Sequence, residues 1–187
     1  MKTVYFDVDT QLDFMVAGGA LYVPGAERIL GHVARLNRDA VASRMPLIST
    51  MDAHAEDDVE FRTWPHHCVK GCLGQRKVAE TLLDGAVVVP NVAGAVDVRG
   101  ARQILLEKQT TDCFTNVHLL DILRDLGADR YMVYGVVTEI CVMNAALGLL
   151  KLGKPVAIVE SAVRELDGVK MDEFYVGFRA AGGVILR

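Results

Sequence analysis

Short apolar runs alternate with amphipathic stretches from one end of the chain to the other. TVYFDV (3–8) has the near-continuous apolar character of a buried strand. AERILGHVARLNRDAVAS (26–43) has helical spacing, with Ile29, Leu30, Val33, Leu36, Ala40 and Val41 on one face. PLISTM (46–51) reads as the next strand, followed by an irregular stretch that contains Trp64 and Pro65. RKVAETLL (76–83) reads as a short helix, AVVVP (86–90) as a strand and QILLEK (103–108) as another. The helix FTNVHLLDILRDLG (114–127), the strand RYMVYGV (130–136), the helix EICVMNAALGLLKLG (139–153) and the strand PVAIVE (155–160) follow. A last helix near 169–181 and the segment GVILR end the pattern.

Apolar Val/Ile/Leu strands separated by helices predict a mostly parallel sheet covered on both faces. The expectation is one three-layer αβα domain over residues 1–187, Rossmann-like in architecture, with no repeat, linker or low-complexity tract. Such sheets bind ligands outside the carboxyl ends of their strands. Asp9 follows the first strand there, Asp52 and His54 follow the second, Lys108 ends the fourth, and Cys141 lies just past the fifth.

Composition narrows the function classes. A net charge of −4 with no basic block disfavours nucleic acid and anionic membranes as partners. The opening MKTVYFDVDTQLDF carries a carboxylate by position 7, unlike a secretory signal, and no stretch has the length of a membrane span. Four cysteines without a secretory signal read as cytosolic thiols, so a cytoplasmic location is expected. GxSxG, GxxxxGK[ST] and GxGxxG motifs are all missing, which removes the usual support for serine hydrolases, phosphate loops and dinucleotide folds.

The strand-end residues form a coherent chemical set. In GVVTEICVM, Thr138 reads as an N-cap and Cys141 as the third helical residue, where the helix dipole and free N–H groups favour a thiolate. Lys108, if turned inward, would hold that thiolate, and Asp9 would exchange its proton. A Cys–Asp–Lys set thus supplies a nucleophile, a proton carrier and a charge stabiliser without histidine. The competing readings are a buried structural thiol, a solvated lysine and a helix-capping carboxylate. In MDAHAEDDVEFRTWPHHC, Asp52 and His54 are two apart and can face one point, with Glu60 and His67 reaching back from the loop. Two histidines and two carboxylates suit zinc, iron or manganese. The alternatives are a polar surface loop with Asp57, Asp58 and Glu60 simply solvated, or a zinc knuckle of His66, His67, Cys68 and Cys72. The knuckle lacks CxxC spacing, and neighbouring histidines in an extended chain point apart.

These motifs resemble the isochorismatase-like cysteine hydrolases, and within them the nicotinamidase and pyrazinamidase subgroup, over nearly the whole chain. DTQLDF (9–14) matches the D-x-Q-x-D-F opening, Lys108 with Phe114 the lysine segment, and GVVTEICV (135–142) the nucleophile segment. The resemblance implies Asp9, Lys108 and Cys141 as catalytic triad. It also implies a cis peptide entering Val137 and an oxyanion hole made by the Val137 and Cys141 N–H groups. D-x-H at 52–54 and W-P-x-H-C-V at 64–69 resemble the subgroup's metal segment, implying Asp52, His54, Glu60 and His67 as ligands. Phe14 and Trp64 are the implied ring-sandwiching residues, with Val137 also against the substrate. Cys72 stands where the subgroup usually has Thr or Ser, and QTTDCF after Lys108 departs from its common pattern.

The implied function is hydrolysis of a small carboxamide, nicotinamide foremost, by a divalent-metal enzyme. The implied assembly is a homo-oligomer, dimer or tetramer. Two rivals are a related amidohydrolase of ureido or carbamoyl substrates, whose members generally lack the metal, and a non-enzymatic metal or thiol sensor. An isochorismatase-type vinyl-ether hydrolase is disfavoured because such enzymes lack the cysteine.

Overall fold

A computed structural model describes all residues, Met1–Arg187. Seven strands, β1 (Thr3–Val8), β2 (Leu47–Asp52), β3 (Ala86–Val89), β4 (Gln103–Lys108), β5 (Arg130–Val136), β6 (Val156–Arg164) and β7 (Val184–Leu186), form one sheet. Its order is β3-β4-β2-β1-β5-β6-β7, and every pairing is parallel. The helices are α1 (Leu12–Met15), α2 (Leu30–Ala42), α3 (Leu119–Leu126), α4 (Met143–Leu150) and α5 (Gly168–Ala180). From β1 the chain moves to β2 on one side, and from β4 it returns past β1 to β5 on the other. Right-handed crossovers therefore put α2 on one face and α3, α4 and α5 on the opposite one, giving three layers. The crevice at such a reversal is where open α/β sheets place their ligands. Here it lies at the ends of four neighbouring strands, β4, β2, β1 and β5.

The main elements fall where the apolar pattern puts them, with informative exceptions. The stretch 76–83 is no helix; only Ala79–Thr81 makes a short 3-10 turn. Lys77 and Val78 are drawn into extended backbone instead, Lys77 in a bridge with Gln11 and the Val78 N–H on the Thr10 carbonyl. The helix expected over 114–127 begins only at Leu119, because buried Asn116 spends its side chain on the Glu107 carbonyl and the His118 N–H. Strand β6 runs on to Arg164 through an irregularity in its pairing with β5, and GVILR supplies β7 on the sheet edge.

One feature of the core is polar. Asp7 and Lys77 form an ion pair at 2.9 Å with both side chains fully buried. Asp7 also accepts from Thr10, Asn37 and Ser49, and Tyr134 donates to Asn37. Asn37 interrupts the apolar face of α2 for this reason. Replacing Lys77 by Met leaves the Asp7 charge uncompensated. The expected cost is about 3–5 kcal/mol, a fall of roughly 6–20 °C in Tm for a domain of this size. Differential scanning calorimetry checks it, and adding Asp7→Asn to the same protein should recover part of the loss.

Candidate active site

Asp9 follows β1 with φ 51°, in the left-handed region that aspartate tolerates better than most residues. Its N–H meets the Thr50 carbonyl at 3.2 Å, and the Thr50 hydroxyl donates to Oδ1 at 2.6 Å. Lys108 ends β4 in register with Asp52 of β2. Instead of running out to solvent, its side chain is 1% exposed. Nζ lies 2.8 Å from Asp9 Oδ2, donates to Asp52 Oδ1, and sits 3.8 Å from Cys141 Sγ. The structure thus brings Asp9, Lys108 and Cys141 together, and adds Asp52 to them.

Cys141 sits in a π-helical turn, Thr138–Val142, that leads into α4. The Val136–Val137 peptide is cis. The Val137 carbonyl accepts the N–H groups of both Ile140 and Val142, while the Val137 N–H has no partner in the fold. Gly135 allows β5 to approach this closely: at φ 117°, a Cβ there would stand 2.1 Å from the Val8 carbonyl oxygen. Thr138 does not cap the turn; its hydroxyl is buried without a hydrogen-bond partner. Glu139, passed over in the sequence, holds the neighbouring loop instead. Its Oε1 accepts the N–H groups of Leu166 and Asp167 at 3.0 and 2.8 Å.

Burial pushes the Cys141 thiol well above its ordinary value; Lys108 opposes this, and Asp9 and Asp52 reinforce it. Two carboxylates and the sulfur thus share the one Lys108 ammonium. Burial also raises the Asp9 carboxyl, against the pull of Lys108. Burial alone would raise Asp52 too, but Lys108 and the two nearby histidines hold it below the usual carboxylate range. Lys108 stays charged, its burial outweighed by Asp52 and Asp9.

Asp52, His54 and His67 bring one ligand atom each to within 4.8 Å of one another, all buried. Asp52 Oδ2 lies 3.9 Å from His54 Nε2 and 3.7 Å from His67 Nε2. The opposite ring nitrogens are engaged: His54 Nδ1 with Asp58 at 3.1 Å, His67 Nδ1 with the Pro65 carbonyl at 2.7 Å. That pattern fixes each tautomer with Nε2 free for a metal. His54 Nε2 is a buried nitrogen with no hydrogen-bond partner, which fits a cation better than it fits a finished polar core. Asp58 is therefore not the solvated loop residue it resembles in sequence; its spacing of four from His54 was the available signal. Glu60 is outside this three-residue cluster. It is half-buried in the 3-10 turn Val59–Arg62, and burial with the nearby Asp52 charge raises its pKa. His66 is exposed and stacks on Phe61 at 4.1 Å, and Cys72 is exposed, so the knuckle does not form.

A small pocket opens over these groups. Cys141, Asp52, His67 and Glu60 line it together with the apolar walls Phe14, Trp64 and Val137. Thr111, from the segment that departs from the subgroup pattern, lines it as well; the Asn144 amide donates to its hydroxyl at 3.0 Å.

The isochorismatase domain family matches residues 3–187, and the chain belongs to that family. It is 26% identical to the nicotinamidase of Escherichia coli over 95% of this chain and 91% of that protein. It is similar in structure to the zinc complex of pyrazinamidase from Pyrococcus horikoshii, with TM-score 0.83, 27% identity, and coverage of 100% and 99% of the two chains. N-carbamoylsarcosine amidase from Thermoplasma acidophilum is also similar, at TM-score 0.81 and 27% identity, covering 100% and 96%. No helix of the chain is long and apolar enough to cross a membrane.

Proposed function

We propose that this chain is a metal-containing cysteine amidohydrolase that converts nicotinamide to nicotinate and ammonia. One observation carries the reading: Cys141 and the Asp52–His67 side of the ligand cluster face the same small, largely apolar pocket. A bare amidase needs the thiol alone; a second polar anchor beside it suits a carboxamide borne on a ring with its own donor atom. Similarity to a nicotinamidase and to a zinc-bound pyrazinamidase supports the same choice.

In the proposed reaction Asp9 takes the Cys141 proton as sulfur bonds to the carboxamide carbon, and the raised Asp9 pKa suits it to both halves of that exchange. The Val137 and Cys141 N–H groups receive the oxyanion, each such donor typically supplying about 3–4 kcal/mol. The C–N bond then breaks, Asp9 returns the proton to the leaving ammonia, and a thioester remains. Asp9 next accepts a proton from water as the water oxygen adds to the thioester, and Cys141 leaves with that proton. Lys108 holds Asp9 in reach of sulfur and balances the charge throughout. Asp52, His54 and His67 would hold the divalent cation, zinc foremost with iron or manganese as alternatives. Bound there, the cation supplies a Lewis acid for a ring nitrogen and offsets the Asp52 charge. Phe14 and Trp64 would flank the ring, and Glu60 would act from the rim. The cytoplasm and a dimer or tetramer complete the proposal.

A ureido or carbamoyl substrate is the second reading, supported by the likeness to N-carbamoylsarcosine amidase. Ammonia release from nicotinamide, pyrazinamide and N-carbamoylsarcosine separates the two. With zinc restored after chelation, we expect turnover of the two ring amides and loss of that turnover in the stripped protein. Turnover of the carbamoyl compound alone, indifferent to zinc, would transfer the assignment to the second reading.

A further inference from the structure

Two polar side chains of the α1 turn play no part in the chemistry above, yet each grips one of the two segments that carry the ligand cluster. Gln11 is fully buried. Its Nε2 donates to the Asp52 carbonyl at 2.8 Å and to the Gln75 carbonyl at 2.7 Å, and its Oε1 accepts the Asp52 N–H at 2.7 Å. The primary amide thereby pairs with the Asp52 backbone as a neighbouring strand would. Asp52 is the branching residue of the site, with Oδ1 on Lys108 and Oδ2 facing both histidines.

Asp13, two residues on, does the same for the other segment. Its Oδ2 accepts the Cys68 N–H at 2.7 Å, directly after His67, and its Oδ1 accepts the Ala20 N–H at 3.0 Å. Backbone bonds tie the same turn to the same loop, from Leu12 N–H to the Arg76 carbonyl and from Asp13 N–H to the Gly74 carbonyl. Gly74 presses so close that a Cβ there would stand 2.1 Å from the Asp13 carboxylate. The two segments also pair directly, His54 N–H with the Cys68 carbonyl and Lys70 N–H with the His54 carbonyl, and the two side chains of one short turn brace that pairing from the β1 side.

We propose that Gln11 and Asp13 are positioning residues that, together with the His54–Val69 bridge, hold Asp52 and His67 at their separation, and so tune the affinity of the cluster for a divalent cation. The proposal rests on the cluster being a cation site, but not on any substrate. Supporting groups behind metal ligands typically account for 10–100-fold in affinity. Gln11→Met keeps the volume and removes all three hydrogen bonds; Asp13→Asn keeps the shape and replaces one acceptor with a donor.

Zinc affinity by competition with a chromogenic chelator is the test, alongside hydrogen–deuterium exchange and calorimetry of the zinc-free proteins. We expect zinc to bind about 10–100-fold more weakly to each variant. Faster exchange should be confined to the Asp52 segment in Gln11→Met and to the Cys68 segment in Asp13→Asn. Zinc affinity equal to that of the unaltered protein in either folded variant would overturn the proposal. If Gln11→Met does not fold, Asp13→Asn alone decides the outcome. Failure of the unaltered protein to bind zinc at all would instead remove the cation-site reading on which the proposal stands.

Discussion

Replacing Cys141 by alanine is expected to reduce ammonia release from nicotinamide by about 10⁴-fold or more, the scale of losing a nucleophile that works as part of a unit. The substitution removes one sulfur atom from a buried turn, and the other anchors of that turn remain. Glu139 still clamps the Leu166 loop, and the Val137 carbonyl still closes the π-helical turn. Zinc should bind as before, because Asp52, His54 and His67 do not touch the sulfur in the hydrogen-bond network. Circular dichroism and zinc titration of the variant verify both points. Residual turnover within about tenfold of the unaltered enzyme would mean that another group attacks the amide.

The second large effect is expected at Asp52. Asp52→Asn keeps the shape and its backbone bonds to Gln11, but removes the one anionic ligand of the cluster and one of the two counter-charges of Lys108. Zinc affinity should fall more than the roughly 100-fold upper range for supporting residues, because a ligand itself is weakened. Nicotinamide turnover should fall with it and should not be recovered by saturating zinc, since Lys108 loses one of its two carboxylate partners. The ammonia assay across a zinc series, with chelator-competition affinities, measures both effects. Full recovery at high zinc would show that Asp52 acts only as a ligand and that the Lys108 contact is dispensable.

Much of this was legible along the chain, and the limits have physical causes. Six strands and the placement of Asp9, Asp52, Lys108 and Cys141 at their ends follow from apolar runs that only a covered parallel sheet can use. The false helix at 76–83 and the late start of α3 arise where buried polar groups, Lys77 and Asn116, overrule local periodicity. Seventh strand β7 has only three residues and an exposed edge, so it has little periodic signal. In the site, spacing drew attention to Cys141 and to the cluster of Asp52, His54 and His67, but it could not reveal that Lys108 is shared by two carboxylates. That sharing is a property of register between β2 and β4. Gln11, Asp13 and Glu139 act on backbone across long separations, which no local pattern records.

The central claim is a bond between Cys141 and the acyl group of the amide. Rapid acid quenching of the zinc-loaded enzyme during nicotinamide turnover, followed by intact mass and peptide mapping, tests it most directly. The expected result is a transient mass gain of one nicotinoyl group on the Cys141 peptide, missing in Cys141→Ala. Steady ammonia release with no acyl adduct on Cys141 at any quench time, and with Cys141→Ala still active, would contradict it.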